Sequence, residues 1–383
     1  MIHHLEVACI PAELKSLRCG IKAFIAEHLP AAAPEQRARS WMGFNAEFSQ
    51  MLAKHGWLGL TLPRVYGGQG MGFFARFIVA EELLAVGAPV AAHWIADRQS
   101  GPLIARYGTE EQKQFYLPKI CAAQAFFCIG MSEANSGSDL ASIRSHAVDA
   151  GEHWCLSGSK IWTTYAQHAH YMLALVRTDG SPTDRQQGLS QLIIDLRLPG
   201  ITIRPITDLA GDEHFCEVFF DEVKIPKNAL IGERGKGWEQ VNAELAYERS
   251  GPERLLSSIV LAQEYLSYLH TQPSLTDNDY ALLGKMVQWL STLRAMSLSL
   301  TAALEAGQNP ALAAALVKDL GTSIEQSIPA WIADSLGENP DAQLPASLLR
   351  TLAYTEQMAP TFSLRGGTRE ILRGIIARGM GLR

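Results

Sequence analysis

Residues 155–177 read CLSGSKIWTTYAQHAHYMLALVR, and the two ends of this stretch decide the fold. CLSGSKIWTT and YMLALVR are short and rich in β-branched and aromatic residues, the composition that fits a pleated, partly buried surface. SQLIIDL (190–196), ITIRPI (201–206) and CEVFFDEVKI (216–225) repeat the texture, separated by turn signals such as DGSP (179–182) and LRLPG (196–200). The region from Phe126 to about Ile231 therefore reads as an all-β domain.

On either side the period is helical. Apolar residues fall three and four apart in AELKSLRCGIKAFIAEHL and FIVAEELLAVGA, within Pro11 to Cys121, and the glycine-dense GLTLPRVYGGQGMG (59–72) interrupts them as a loop. After IGERGKG the helical period returns in WEQVNAELAYERS, RLLSSIVLAQEYLSYL, YALLGKMVQWLSTLRAMSLSLTAALEAG, ALAAALVKDLGTSIEQSI and a terminal segment, which suggests a bundle. The arrangement is α+β, with a helical domain over 1–125, a β domain over 126–232 and a helical-bundle domain over 233–383.

Across 383 residues, 33 Lys plus Arg against 39 Asp plus Glu give a net charge of −6 with no long basic run, which argues against nucleic-acid binding. The 6 cysteines are scattered with no C-x-x-C spacing, as in reduced thiols of a cytoplasmic protein. The N-terminus has neither a signal-peptide nor a transit pattern. The most apolar region, Phe73 to Ala96, is broken by Arg76, Glu81, Glu82, Pro89 and His93, so no membrane span is expected. His168 and His170 have the alternation of one strand face, but no third ligand is identifiable and no metal site is expected. GERGKG (232–237) lacks the G-x-G-x-x-G order and reads as a domain-linking turn.

Near the end, SLRGGTREILRG (363–374) sets two glycines and a threonine before a helix with Ile371, Leu372, Ile375 and Ile376 on one face. Such a pair lets backbone approach a ligand closely, and the free N–H groups of the first helical turn favour an anion. In MSEANSGSD, Ser132, Ser136 and Ser138 lie among small residues where a turn can aim N–H and O–H donors at a ligand; the alternative is a serine turn that binds nothing.

Five segments in register resemble the acyl-CoA dehydrogenase family along the whole chain: GWLGLTLPRVYGGQGMG, CIGMSEANSGSDLASIRSHA, LSGSKIWTTYAQHAHYMLALVRT, EVFFDEVKIPKNALIGERGKGW and GGTREILRGIIARGMGLR. The resemblance implies an N-terminal helical domain, a central β-barrel and a C-terminal four-helix bundle, with FAD held between subunits. It implies that Met131, Ser132, Gly137, Ser138, Trp162, Thr163, Thr164, Thr368 and Glu370 border the cofactor, with Ser138 near the acyl-thioester as well. Arg249, Gly366 and Gly367 are implied on the substrate side, and Lys160 in a structural role.

The implied chemistry is α,β-dehydrogenation of an acyl-CoA, a carboxylate taking the α-proton while the β-hydrogen leaves as hydride to flavin N5. That proton is a very weak acid, so the site must hold the base in a dry pocket and meet the developing enolate oxygen with fixed donors. Many members of the family place the base immediately before the Gly-Thr of the C-terminal motif, and its N–H binds the thioester oxygen. Here that residue is Gly366, which keeps the N–H and lacks the carboxylate. A minority, resembling the isovaleryl and long-chain enzymes, supplies the base from the first long helix of the last domain, just before an arginine. That position is Glu248, followed by Arg249. Glu253 competes: Ser250-Gly251-Pro252-Glu253 reads as a capping box beginning a new helix, whereas the family pattern implies one continuous helix that Pro252 would kink.

The family's Arg-x-x-Phe-Gly and Gln-x-x-Gly-Gly-x-Gly motifs are absent; the corresponding stretches read TQPSLTDNDYALLGK and SIPAWIADSLGENP. With both departures the chain resembles bacterial members acting on steroid side chains, dicarboxylic or other unusual acyl groups, some of them hetero-oligomers of two related chains. The expected partners are an acyl-CoA and an electron-transfer flavoprotein, within a homo- or hetero-tetramer. An oxidase or reductase on the same fold, an acyl group on a carrier protein, and a subunit that completes a partner's FAD site stand as alternatives.

Overall fold

The computed structural model describes residues 6–249, 251–338 and 341–382, with the backbone alone for 243–248. The chain packs as two compact units, one built from 49–70 and 91–247, the other from the segments before 49, at 71–90 and from 248 onward.

The first unit holds a curled sheet of seven strands: β1 (Phe127–Gly130), β2 (His146–Asp149), β3 (His153–Thr164), β4 (Tyr171–Arg177), β5 (Leu189–Asp195), β6 (Ile201–Ile206) and β7 (Phe215–Pro226). Their order is β1-β4-β2-β3-β7-β6, with β5 paired to β4. β4 runs parallel to β1 and antiparallel to β5, and every residue of YMLALVR is buried. This explains why the segment is a continuous apolar run and does not alternate. Met172, Ala174 and Val176 join Trp154, Leu156, Val218 and Phe220 on one face, while Tyr171 and Leu173 pack with Leu103, Ile104, Leu117 and Ile120 on the other.

In the second unit the Lys15–His28 helix packs on Phe73–Ala85, and the Ala311–Gly337 helix packs on Asp277–Glu305, Ala346–Phe362 and Arg369–Gly379. The α+β class expected from the sequence is what the elements form. The Gly237–Glu248 helix neither continues through Pro252 nor restarts there. A 3-10 turn at Pro252–Arg254 intervenes, with Gly251 at its N-cap, and the next helix is Ile259–His270; Ser250 of the proposed capping box lies outside the described residues. Gly321 makes this turn possible, because a Cβ there would come within 2.1 Å of the Arg254 carbonyl oxygen. Where the resemblance implies a glycine-rich loop, this chain stays helical to Gly337.

Among the described residues no helix is long and apolar enough to cross a membrane, and no cluster of three or more His, Cys, Asp or Glu is arranged to hold a metal ion. His168 ends a short 3-10 turn, and His170 Nδ1 accepts the Phe126 N–H at 3.0 Å, so the two do not share a strand face.

Candidate active site

β3 carries the first group of candidate residues. Lys160 is fully buried, and its Nζ donates to the Met131 carbonyl at 3.1 Å and to Glu133 Oε1 at 2.8 Å. The Glu133 carboxylate also accepts the N–H groups of Arg144 at 2.7 Å and Ser145 at 3.0 Å. Burial works against this carboxylate, but the Lys160 ammonium and those N–H donors outweigh it and hold the carboxyl below its ordinary range. Ile161 N–H donates to the Ser132 carbonyl at 2.9 Å, so the Met131–Ser132 backbone is tied to β3 at two places.

Between Lys160 and Thr163 the register of β3 on β7 slips. Bulges re-aim side chains, and here Trp162 takes φ 60° and stands 57% exposed, edge-on to Phe215 at 6.0 Å. Thr163 points the other way, its hydroxyl buried without a hydrogen-bond partner, and Thr164 is half-buried opposite Phe215. Within SEANSGSD, Glu133 and Ser136 exchange backbone hydrogen bonds of 3.1 and 2.9 Å, and Ser136 Oγ donates to the Asp139 carbonyl at 2.7 Å. The run is thus a tight turn whose Gly137 and Ser138 are exposed. Met131 packs beside Ile143, Leu175, Leu189 and Val241.

The second group surrounds the glycine pair. Gly366 and Gly367 have φ of 65° and 98°, left-handed conformations that glycine adopts without a Cβ clash. Arg249, itself buried, donates from Nε to the Gly366 carbonyl at 2.9 Å, and the fully buried Lys318 donates from Nζ to the Gly367 carbonyl at 2.8 Å. Thr368 then N-caps the Arg369–Gly379 helix, with Glu370 exposed in its first turn and Leu372 buried beneath. Lys318 shares a helix face with Asp319, which holds Arg369 at 2.8 Å, with Thr322, which bonds the Phe362 carbonyl at 3.5 Å, and with Gln326, which bonds the Ala359 carbonyl at 2.8 Å. One helix therefore fixes the loop before, within and after its glycines.

Met131, Ser132, Trp162 and Thr164 come together in one unit; Arg249, Gly366, Gly367 and Thr368 come together in the other. Glu248 ends its helix beside Arg249, and its side chain lies outside the described residues. Lys318, Asp319 and Gln326 were not anticipated from sequence. Their signal is polar residues on one stripe of the otherwise apolar ALAAALVKDLGTSIEQSI, which reads equally well as a solvated face.

Comparison with known proteins settles the family. The acyl-CoA dehydrogenase N-terminal domain model matches residues 11–124, and the acyl-CoA dehydrogenase middle domain model matches 128–223. Acyl-CoA dehydrogenase IpdE1 of Mycolicibacterium smegmatis is 30% identical over 74% of this chain and 76% of its own length. This chain belongs to the acyl-CoA dehydrogenase family. The mitochondrial isovaleryl-CoA dehydrogenase of Pongo abelii is 31% identical over 68% of this chain and 63% of its own. The ChsE4-ChsE5 complex from Mycobacterium tuberculosis superposes with TM-score 0.85 at 27% identity, over 99% of this chain and 100% of that one. As an acyl-CoA dehydrogenase, the protein is an oxidoreductase with FAD as cofactor.

The residues of the first group suit that cofactor. An indole turned outward by a bulge offers a flat face to a fused ring system, and the Met131–Ser132 backbone beside it is held rigid from below by Lys160.

Proposed function

We propose that this acyl-CoA dehydrogenase removes the α-proton of an acyl-CoA thioester with Glu248 while the β-hydrogen departs with its electron pair, leaving the α,β-double bond. One observation carries the reading: Arg249, the chain neighbour of Glu248, donates from Nε to the Gly366 carbonyl, which ties the end of the Gly237–Glu248 helix to the position that bears the base in many members of the family. Likeness to an isovaleryl-CoA dehydrogenase supports the same choice of helix.

In this reading Trp162, Thr164, Met131 and Ser132 hold the flavin, Gly137, Ser138, Thr163, Thr368 and Glu370 border it, and Ser138 and Arg249 help to orient the thioester. When bound, FAD would supply the acceptor for the hydride leaving the β-carbon. Glu248 takes the proton, and the backbone N–H groups of the Gly366–Thr368 turn meet the charge that develops on the thioester oxygen. Electrons then pass to an electron-transfer flavoprotein, in the cytoplasm, from a homo- or hetero-tetramer.

A second reading has the chain as one subunit of a hetero-oligomer, completing or completed by a partner's FAD site. Its support is the helix that continues to Gly337 in place of a glycine-rich loop, together with likeness to a complex of two named chains.

The visible spectrum of the chain purified alone separates the two. Bound flavin that an acyl-CoA from a mixed panel bleaches without oxygen, and that Glu248→Gln retains unbleached, is the result expected of a self-sufficient enzyme. A colourless chain that turns yellow only with a second related chain overturns it in favour of the subunit.

A further inference from the structure

A trans peptide points its C=O and N–H in opposite directions. Arg249 takes up the Gly366 carbonyl and Lys318 the Gly367 carbonyl, so the N–H groups of Gly367 and Thr368, on those same two peptides, are turned away from both cations. Thr368 starts the Arg369–Gly379 helix, and its hydroxyl accepts the Ile371 N–H, so these peptides run into the donor end of a helix. Adjacent glycines at φ of 65° and 98° have no Cβ to prevent a peptide flip, so the direction of these N–H groups depends on what grips the carbonyls.

Lys318 is an expensive choice for a purely structural contact. Its side chain is fully buried, on a helix whose Ala314, Ala315, Val317 and Ile324 are buried as well. Burying an ammonium costs several kcal/mol (roughly, after relaxation), and a packed apolar residue at such a place is commonly no less stable. Among its contacts the ammonium makes a charge-assisted hydrogen bond to the Gly367 carbonyl, which both orients that peptide and polarises its N–H.

We infer that Lys318 is a positioning residue for the dehydrogenation. Through the Gly367 carbonyl it fixes the Gly367–Thr368 peptide, as Arg249 fixes the one before it, and so holds the N–H groups of this turn toward the thioester oxygen. The inference rests on the proposed function, in which this backbone binds that oxygen, and adds the buried cation that sets its direction.

The test uses isovaleryl-CoA carrying a heavy isotope at its carbonyl carbon, bound to holoenzyme whose flavin has first been reduced so that no turnover follows. Infrared difference spectra report how strongly the carbonyl is polarised. The wild type is expected to lower the carbonyl frequency, Lys318→Met to return it most of the way to the free value, and Lys318→Gln, which keeps a neutral donor, to fall between. The rate of flavin reduction in Lys318→Met should drop about tenfold to a hundredfold, less than the ~10²–10³ of deleting an oxyanion donor outright. Flavin content should be unchanged. A Lys318→Met enzyme with wild-type frequency and rate overturns the inference. If that variant does not fold, an unshifted frequency in flavin-replete Lys318→Gln overturns it equally. A wild type that lowers the frequency but reduces no flavin contradicts the proposed dehydrogenation while leaving the donor geometry standing; one that does neither removes both.

Discussion

Two loops in this molecule are held by the same device and differ in what they present. The Met131–Asp139 loop is fixed by buried Lys160 on the Met131 carbonyl, and the Gly366–Thr368 loop by buried Lys318 on the Gly367 carbonyl. In the first, the lysine also meets Glu133, whose carboxylate gathers two further backbone N–H groups, and the loop is rich in serine. In the second, the gripped residues are glycines with positive φ, and all they can offer is backbone. The comparison teaches that a buried ammonium can serve as a clamp on main chain, and that the clamped loop then presents side-chain hydroxyls in one case and peptide N–H groups in the other.

The first clamp is expected to bear more of the fold. Lys160→Met leaves the Glu133 charge buried without its ammonium, a loss of about 3–5 kcal/mol by analogy with other broken buried pairs. Urea unfolding should show this, with flavin retention falling in parallel, and the Lys160→Met/Glu133→Gln double variant should recover most of the stability. A single variant as stable as wild type would break the likeness between the two loops.

Gly367→Ala probes the second loop. A methyl group at φ 98° is strained, and it would sit 3.3 Å from Arg249 Nη2, so a loss of roughly 1–3 kcal/mol is expected, with the rate of flavin reduction falling further than stability explains. Equal stability of the Ala variant would show that the left-handed turn is not required. Thr368→Ala removes the N-cap of the last helix and should cost about 1 kcal/mol by thermal or urea unfolding, while flavin reduction changes little if the backbone donors alone act there. A loss of rate larger than that of Gly367→Ala would shift the weight from backbone to the hydroxyl.

The smallest effect concerns the helix that carries Lys318. Glu325, fully buried there, accepts the Ser257 N–H at 2.7 Å; burial pushes its carboxyl up, against the pull of Ser257, Arg365 and Arg254. A carboxyl raised on folding stabilises the folded state while protonated. That contribution is whole below its unfolded pKa of about 4.3 and is lost as pH rises through the folded value. The Tm advantage of Glu325→Gln over wild type should therefore grow with pH across this window, and parallel Tm curves would contradict the assignment.

Much of this architecture is legible in the sequence. YMLALVR and ITIRPI coincide with β4 and β6 residue for residue, because strand composition and flanking turns agree there. The break after Glu248 was harder: Pro252 permits a kink, a cap or a turn, and the choice depends on the close approach that Gly321 allows, far away in the chain. Trp162 is readable as exposed only once the bulge is known, since strict alternation from Trp154 and Leu156 would bury it. Lys318 was invisible for a plainer reason. A lone lysine in an alanine-rich helix looks like solvent-facing charge until folding buries it.

In the proposed reaction the carboxylate missing at Gly366 is supplied at position 248. The most direct measurement is exchange with deuterated solvent of the α-hydrogen of an acyl-CoA that bleaches the bound flavin, on holoenzyme with reduced flavin, followed by mass spectrometry. The wild type is expected to exchange, and Glu248→Gln to exchange about 10²–10⁴-fold more slowly with thioester affinity retained. Undiminished exchange in Glu248→Gln would contradict this and place the base elsewhere.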